Sequence, residues 1–430
     1  MSIQQAMYSG VSGLDAETQA LNVIGDNVSN VSTTGFKEQR ADFEDILGQS
    51  IAGTNGGPGA GVQISGVDTL FTQGTLTNTG VSTDMAITGN GFFMVNGNVA
   101  GTPGTYYTRD GQFSVNANGQ FVNENGLNVQ GYEALTNGTF SGAVGNLSLN
   151  TPALPPQATT TLNVSANLNA ASTVPTAAWD PQNPAATSNF STSITTYDSL
   201  GNAHQLSVYF RETAPNTWDY HVLANGAEIT GGTPGQNSEI GTGTLAFTTG
   251  GALQTITTTT PVVANFIGAT AGQAIALNFG STTGGGGTGL DGITQFAAPS
   301  SVNTQSQDGY ASGQLAGMNV DSNGVITGTY SNGQQLAIGK LAIATFADNE
   351  GLGQAGQNLF TQTNASGLAA VGTASAGGRG SITGGALEQS NVDLAAQMVD
   401  MITHERAFQS DSKTIQTADQ MLQVITQLKQ

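Results

Sequence analysis

Each end of this chain carries an apolar residue at every seventh position. Such a repeat gives a helix one continuous apolar stripe, and an isolated helix of this kind is marginal in water until the stripe is covered. The spacing predicts a helix from residue 2 to about residue 29 and another of about 38 residues beginning near Ser390. The repeating residues are Met7, Leu14, Leu21 and Val28 near one end, and Leu394, Met401, Phe408, Ile415 and Leu422 near the other.

Two arrangements can cover these stripes. Each helix can pack against its own domain, or the two helices can pack against each other and against copies of the chain. Because both ends carry the same repeat while the sequence between them is of another kind, we favour the second arrangement. We therefore interpret the repeating residues as a coiled-coil and polymer interface.

Between the two helices, the sequence favours short β-strands. Gly accounts for 60 of the 430 residues, and only 9% of the chain is charged. Asn-Gly and Asp-Gly pairs, which tolerate the positive φ of tight turns, recur between short alternating segments. We expect a mainly β protein with long terminal α-helices, divided into several domains. The pairs that we interpret as turns include those at 96–97, 110–111, 118–119, 125–126, 137–138, 225–226, 323–324 and 332–333.

Two stretches of similar pattern, 113–132 and 318–340, predict two hairpins of one domain that an insertion divides. The Pro-containing stretch 151–157 and the Gly-rich stretch 281–289 bound that insertion. We expect a terminal helical domain (1–30 and 386–430), connecting segments (31–71 and 374–385), a split middle β domain (72–150 and 302–373) and an outer β domain inserted into it (151–301).

Composition excludes several classes of function. The formal net charge of −20 would repel a nucleic-acid backbone, so we expect no nucleic-acid partner. The chain has no Cys and no run of 18 apolar residues, so we expect neither disulfides nor membrane insertion. The first ten residues lack the basic and apolar regions of a secretory signal peptide, so we expect none to be cleaved.

The sequence offers no constellation of catalytic or metal-binding residues. The three histidines, His204, His221 and His404, have no metal-ligand spacing, although the first two could face each other across a hairpin. The stretch 320–325 begins like a calcium loop but lacks its later acidic ligands, which favours a plain turn. We expect no enzymatic activity, no cofactor and no metal.

Four segments resemble the flagellar rod and hook family of axial proteins. They are ALNVIGDNVSNVSTTGFKEQRADF (20–43), TQGTLTNTGVSTDMAITGNGFFMV (72–95), the stretch 107–132 and the C-terminal stretch 387–422. Within the insertion, TTYDSLGNAHQLSVYF (195–210) resembles the outer domain of the hook-type members, which the rod-type members lack. The resemblance therefore implies a hook-type subunit.

What the resemblance implies is a structural subunit that polymerises into a curved tube. The tube acts as a universal joint that transmits torque from the rod to the filament. The terminal helices form its inner coiled-coil layer, the split β domain the middle layer and the insertion the outer layer. The implied partners are the chain itself, the distal rod protein, the hook cap protein, the hook–filament junction proteins and the flagellar type III export apparatus. The implied location is extracellular.

The segment in which the chain leaves the first helix carries a separate hypothesis. Gly35 permits an unusual φ there, and Phe36 and Phe43 can wedge between neighbouring subunits. Lys37 and Arg40 are two of only nine basic residues, and we expect them to bridge to carboxylates of adjacent copies, such as Glu44 or Asp45. The alternative is that both are solvated surface charges.

Three other functions remain open at this point. A rod-type subunit of the same family would explain the terminal helices, but not the long insertion. A surface adhesin or carbohydrate-binding protein would have similar Thr- and Asn-rich strands, but would not need apolar repeats at both ends. An enzyme on a β scaffold would need a site that the sequence does not offer.

Overall fold

The computed structural model describes residues 3–46, 60–135, 138–148 and 153–427. The chain forms two compact units: one of residues 1–151, 316–329 and 335–430, the other of residues 152–315 and 330–334. The second unit is an insertion in the sequence of the first, and the protein is mainly β with long terminal helices, which confirms the predicted fold class.

In the N-terminal part of the first unit, the described residues form one helix and ten strands. The helix begins at Ile3, and the cap position before it lies outside the described residues. The elements are α1 (Ile3–Ser29), β1 (Gln39–Asp45), β2 (Val62–Thr69), β3 (Leu76–Asn78), β4 (Met85–Thr88), β5 (Phe92–Val99), β6 (Thr102–Thr108), β7 (Phe113–Val115), β8 (Phe121–Asn123), β9 (Asn128–Glu133) and β10 (Gly145–Asn146).

The described residues of the second unit form eleven strands, a short helix and one 3-10 turn at Thr283–Gly285. The elements are β11 (Thr161–Asn169), α2 (Pro184–Thr187), β12 (Phe190–Tyr197), β13 (Ala203–Ala214), β14 (Thr217–Asn225), β15 (Asn237–Phe247), β16 (Leu253–Thr260), β17 (Val263–Ala264), β18 (Gln273–Ala274), β19 (Ala276–Asn278), β20 (Thr294–Phe296) and β21 (Ser301–Gln307).

The chain then completes the first unit with eight strands and the C-terminal helix. The elements are β22 (Leu315–Val320), β23 (Val325–Tyr330), β24 (Gln335–Thr345), β25 (Gly353–Gly356), β26 (Leu359–Thr361), β27 (Ala370–Thr373), β28 (Ser381–Gly384), β29 (Ala386–Glu388) and α3 (Leu394–Gln427).

One twelve-stranded sheet joins the two parts of the first unit, with the order β22-β23-β24-β9-β5-β6-β26-β25 along its main path. Strands from both Asn-Gly stretches lie in it, since β24 pairs with β9 and β5. Two small ladders, β4 with β28 and β3 with β29, also pair early strands with late ones. The largest buried side chains of this unit include Phe92, Phe93, Phe121, Met85 and Ile87.

In the second unit, β12 to β16 form a five-stranded antiparallel meander. Strand β11 pairs in parallel with β19 and β20 and in antiparallel with β21. One core cluster includes residues from both sheets, among them Trp218, Phe210 and Leu162. Because β21 pairs with β11, the insertion extends beyond the predicted end at residue 301.

Two other predicted boundaries need correction. The C-terminal helix begins at Leu394 rather than near Ser390, because Asp393 Oδ1 accepts hydrogen bonds from the backbone N–H groups of Ala395 (2.8 Å) and Ala396 (3.3 Å) and caps the first turn. The segment 31–71, predicted as a connection, contains the β1–β2 hairpin. No helix within the described ranges is long and apolar enough to cross a membrane.

The predicted turns are mostly present. Gly119, Gly126, Gly324 and Gly333 have positive φ, and the turn at 320–325 is closed by hydrogen bonds to Asp321 Oδ1. Asn137 lies outside the described residues. The pair at 96–97 is not a turn, because both residues lie within β5 opposite β6.

Candidate functional site

The two terminal helices pack against each other in antiparallel orientation. Gly10, near the start of α1, lies against Ile415 in the second half of α3. A Cβ placed on Gly10 would be 2.9 Å from Ile415 Cγ1. Near the other end of α1, the Asn27 side chain donates to Gln397 Oε1 at 3.1 Å. Between these contacts, His404 Nδ1 lies 2.5 Å from Glu17 Oε2. The helices therefore form one hairpin-like pair within the chain.

Small residues, rather than the predicted repeat, form the α1 side of the contact. Gly10, Gly13, Ala16 and Ala20 are buried, and Ile24 extends the same face. The repeating residues Met7, Leu14, Leu21 and Val28 are only half-buried and lie along one edge of this face. Glycine and alanine let two helix axes approach closely. The recurrence of small residues at three- and four-residue steps was the sequence pattern that could have identified this face.

On α3, the predicted repeat divides into two groups. Met401, Ile415 and Leu422 are half-buried, whereas Leu394 and Phe408 are exposed. The chain itself thus covers only part of either predicted stripe.

Both helices also carry exposed apolar residues on their outer faces. Tyr8 and Val11 on α1 are 73% and 52% exposed, and Val399 and Ile402 on α3 are 63% and 51% exposed. Met421 and Val424 continue the exposed series toward the end of α3. Large apolar side chains that line one structural element in this way mark a surface for another molecule.

The β1–β2 hairpin packs beside α1. The Ser12 hydroxyl accepts a hydrogen bond from the backbone N–H of Val62 at 3.2 Å, and the Phe43 ring stacks on the His404 ring with 6.0 Å between centroids. The buried side chain of Asn27 bonds to both backbone groups of Gln39, donating to its carbonyl at 2.7 Å and accepting from its N–H at 2.9 Å. Asn27 therefore joins α1, α3 and the hairpin.

Replacing Asn27 with Ala should destabilise this junction by about 1–2 kcal/mol, because it leaves the backbone groups of Gln39 without their partner. We expect faster hydrogen exchange of the amides in the last turns of α1, with the β sheet unchanged. Asn22→Ala, an exposed position on the same helix, is the matched control. Equal exchange rates in the two variants would contradict this role of Asn27.

Where the helices meet the sheet, three charged side chains form a buried cluster. Lys37 Nζ lies 2.6 Å from Glu388 Oε1, and Arg109 Nη1 lies 3.2 Å from Glu388 Oε2. The side chains of Lys37 and Glu388 are fully buried. Lys37 also donates to the carbonyl of Thr72 at 2.7 Å, and Glu388 accepts from the backbone N–H of Gly74 at 2.9 Å. A buried charge is tolerated when it is paired and bonded in this way.

The electrostatics of the cluster follow from its burial. Burial lowers the pKa of Lys37 below its ordinary 10.5, and the Glu388 carboxylate opposes that shift. Burial likewise lowers the pKa of Arg109, again against Glu388. Since the Lys37 ammonium is enclosed within its own chain, it has no exposed surface with which to reach Glu44 or Asp45 of a neighbour. The prediction that Lys37 bridges to a neighbouring copy therefore needs correction. Sequence reasoning also missed Glu388 and Arg109 as members of this cluster.

Gly35 lies directly beside this cluster. Its φ is +69°, as the sequence pattern predicted, and its N–H donates to the backbone carbonyl of Glu388 at 2.8 Å. A Cβ at this position would lie 2.6 Å from the backbone nitrogen of Asp110. Both the conformation and the space therefore require glycine.

The other three residues of the predicted contact segment differ in exposure. Phe36 is buried, while Phe43 remains partly exposed beside His404. Arg40 is 57% exposed and pairs within the chain with Asp42 at 2.8 Å and with Asp68 at 3.8 Å. Only Arg40 and Phe43 are thus accessible to a second molecule.

The histidines of the second unit lie apart, so the prediction that they could face each other is wrong. His204 is opposite Thr196 and lies between Asp198 (3.2 Å) and Glu228 (2.6 Å), whereas His221 is opposite Tyr209 and bonds to Glu239 at 2.6 Å. Within the described ranges, no three His, Cys, Asp or Glu residues are grouped as metal ligands.

Four family models match the chain in sequence order. Residues 7–37 match the flagella basal body rod protein model, and residues 86–168 match the flagellar hook protein FlgE/F/G D1 domain. Residues 167–310 match the flagellar basal body protein FlaE D2 domain, and residues 383–428 match the flagellar basal body rod FlgEFG protein C-terminal model.

Full-length relatives give the same result. The chain is 35% identical to the flagellar hook protein FlgE of Escherichia coli (strain K12), with 99% of this chain and 100% of that protein covered. The flagellar hook protein FlgE of Treponema pallidum is also 35% identical, with the same coverage. Among solved structures, the crystal structure of Helicobacter pylori flagellar hook protein FlgE2 covers 71% of this chain and 98% of its own, at a TM-score of 0.50 and 14% identity, which bears on the fold alone.

The four matching models and the full-length relatives all belong to flagellar rod and hook proteins. The exposed outer faces of the terminal helices are consistent with a subunit of such an assembly. This chain belongs to the flagellar hook protein FlgE family and is a structural subunit of the flagellar hook.

Proposed function

We propose that the chain polymerises into a curved tube in which α1 and α3 of many copies form the inner layer. The tube is a universal joint that transmits torque from the rod to the filament. The observation that carries this proposal is the row of exposed apolar residues on the outer faces of both helices, represented by Tyr8 on α1 and Val399 on α3. Neighbouring copies in a tube would cover these faces along their whole length.

The mechanics follow from two kinds of contact. Long helices packed side by side resist twisting, because their seams are continuous and apolar. Bending requires neighbouring copies to slide, and weak polar contacts between β surfaces permit sliding at little cost in free energy. With only 9% charged residues in the chain, few ion pairs are available to hold the β surfaces of neighbouring copies in one register. A head-to-tail contact that does not close on itself generates a helical assembly.

The partners and the location are part of the same proposal. Besides itself, the chain would contact the distal rod protein, the hook cap protein and the hook–filament junction proteins. The flagellar type III export apparatus would carry it to the cell exterior without cleavage of a signal peptide. We propose no enzymatic activity and no cofactor.

Electron microscopy of the purified full-length chain, concentrated with and without high sulfate, tests the proposal. We expect curved tubes, and we expect sulfate to promote them because salt screens repulsion between copies that each carry a net charge of −20. Straight tubes would count against the curved form and would favour either a rod-type subunit or a hook-type subunit trapped in one symmetric state. Monomers under every condition would count against self-assembly, as would tubes that form more readily at low salt.

A further inference from the structure

Two cations on α3 differ from the other described cations in having no side-chain partner among the described residues. Arg406 and Lys413 are exposed, and no hydrogen bond or ion pair of their side chains occurs among the described residues. The remaining described cations are engaged: Lys37 and Arg109 with Glu388, Arg40 with Asp42, Arg211 with the carbonyls of Pro175 and Ala177, Arg379 with those of Ala370 and Ala376, and Lys340 over the Phe140 ring.

These two cations share one face of α3. Seven residues are about two helical turns, so Arg406 and Lys413 point the same way. Their face lies roughly opposite the face that carries Gln397, Ile415 and Ala418 and packs on α1. The exposed apolar residues Ile402 and Val424 flank them on the same side. The outer face of α3 is therefore basic in its centre and apolar toward its ends.

The outer face of α1 has the opposite charge. Asp15 and Asp26 are exposed, and eleven residues are about three turns, so both point the same way, roughly opposite the small-residue face. Among the described residues, each carboxylate accepts only a neutral amide donor, from Gln19 and Asn30 respectively. The helix contains no Lys or Arg at all. The α1–α3 pair is thus bipolar, with carboxylates on one outer side and cations on the other.

The spacing of the charges suits an antiparallel contact between copies. Copies in a helical polymer keep one orientation, so α1 of one copy runs antiparallel to α3 of the next, as it does within a chain. Suppose that Asp15 faces Lys413 and that Asp26 faces Arg406. The two aspartates are then separated by about 16 Å along α1, and the two cations by about 10 Å along α3. The difference of about 6 Å is shared by two long, flexible side chains. Tyr8 then meets Val424, so the apolar ends also match.

We infer that Arg406 and Lys413 of one copy pair with Asp26 and Asp15 of the next and thereby set the register of the inner helix layer. The inference rests on the proposed self-assembly. The occupant is a second copy because the two faces complement each other in charge and in apolar residues. A contact between two different faces does not close on itself, as a helical tube requires.

Critical concentrations for assembly at the lowest sulfate concentration that supports it, where exposed ion pairs are screened least, test the pairing in the full-length chain; they are measured by sedimentation and checked by electron microscopy. Arg406→Glu with Lys413→Glu should raise the critical concentration about tenfold or more, because two attractive pairs become repulsive. Asp15→Lys with Asp26→Lys should raise it by a similar factor, although it makes the net charge less negative. That second variant is the control for general repulsion, which would predict easier assembly.

The four substitutions together restore opposite charges, and assembly should return to within about threefold of the unaltered chain. All four positions are exposed, so the thermal transitions of the β units should not move in any variant. If both double variants assembled like the unaltered chain, or the fourfold variant failed to recover, the pairing would be refuted while the proposed function stood. If the unaltered chain formed no polymer, the proposed function would fail and the pairing with it.

Discussion

Replacing Glu388 with Ala should lower the free energy of unfolding of the first unit by about 3–5 kcal/mol. The substitution removes the one carboxylate that neutralises two buried cations, Lys37 and Arg109. It also removes the acceptor of the backbone N–H of Gly74. Breaking a buried pair is costly because the remaining charge stays out of water without compensation. Urea titration followed by circular dichroism would measure the loss.

Two further variants separate the charge effect from other causes. Glu350→Ala removes an exposed carboxylate of the same unit and should change the free energy of unfolding by less than about 0.5 kcal/mol. Glu388→Gln keeps an acceptor for Gly74 but loses the charge, so its effect should be smaller than that of Glu388→Ala. A Glu388→Ala protein as stable as the Glu350→Ala protein would show that the cluster does not depend on its carboxylate.

The cluster also links the helices to the sheet. Lys37 follows α1, Glu388 precedes α3, and Arg109 donates to the carbonyl of Gly89 at 2.7 Å, next to β4. Losing Glu388 should therefore loosen the base of both helices together. We expect such a protein to assemble poorly, because the orientation of its outer helix faces would no longer be fixed.

The sequence was sufficient to predict the long helices, the β-rich middle and the insertion. Each of these predictions depends on a periodic pattern of apolar or turn residues along a continuous segment. Such a pattern can be read from the sequence alone because it determines which side of a helix or strand is buried. The seven-residue repeat identifies the apolar stripe of α1, and the role of that stripe as a polymer interface stays a prediction. The closest contact instead follows the smallest side chains, Gly10, Gly13 and Ala16.

Contacts between distant parts of the chain could not be predicted in the same way. Lys37 and Glu388 are 351 positions apart, and no local pattern joins them. The prediction of a turn at Asn96-Gly97 was wrong for a related reason. A Cβ on Gly97 would lie 2.5 Å from Leu127 Cδ2, so this glycine serves close packing. The actual turn is at Ala100 and Gly101, whose φ values are +49° and +89°.

The stability of the first unit should fall as the pH rises from about 4 to above 6, because of Asp110. Burial raises its pKa from the ordinary 3.8 to about 6; a hydrogen bond from the backbone N–H of Gln112 opposes the shift, and the carboxylates of Glu124 and Asp84 add to it. The folded state therefore holds this proton more tightly than the unfolded state does. Below pH 4 both states are protonated, so the contribution is fully present. As the pH rises through the pKa of the folded state, this contribution of about 2–3 kcal/mol to the free energy of unfolding is lost.

Asp110→Asn isolates this contribution, because the amide stays neutral at every pH and its oxygen can still accept from Gln112. Unfolding free energies from urea titrations at pH 4, 5, 6 and 7.5 should fall less steeply in the variant than in the unaltered chain, and the variant should be the more stable protein at pH 7.5. Glu133→Gln, at an exposed position of the same unit, controls for the loss of one negative charge. Parallel pH profiles for the unaltered chain and the Asp110→Asn protein would mean that Asp110 ionises equally easily in both states. The Asp110 carboxyl group would then have to be more accessible to water than its burial indicates. It would also have to be more accessible than the close approach of the Asp110 and Gly35 backbones indicates.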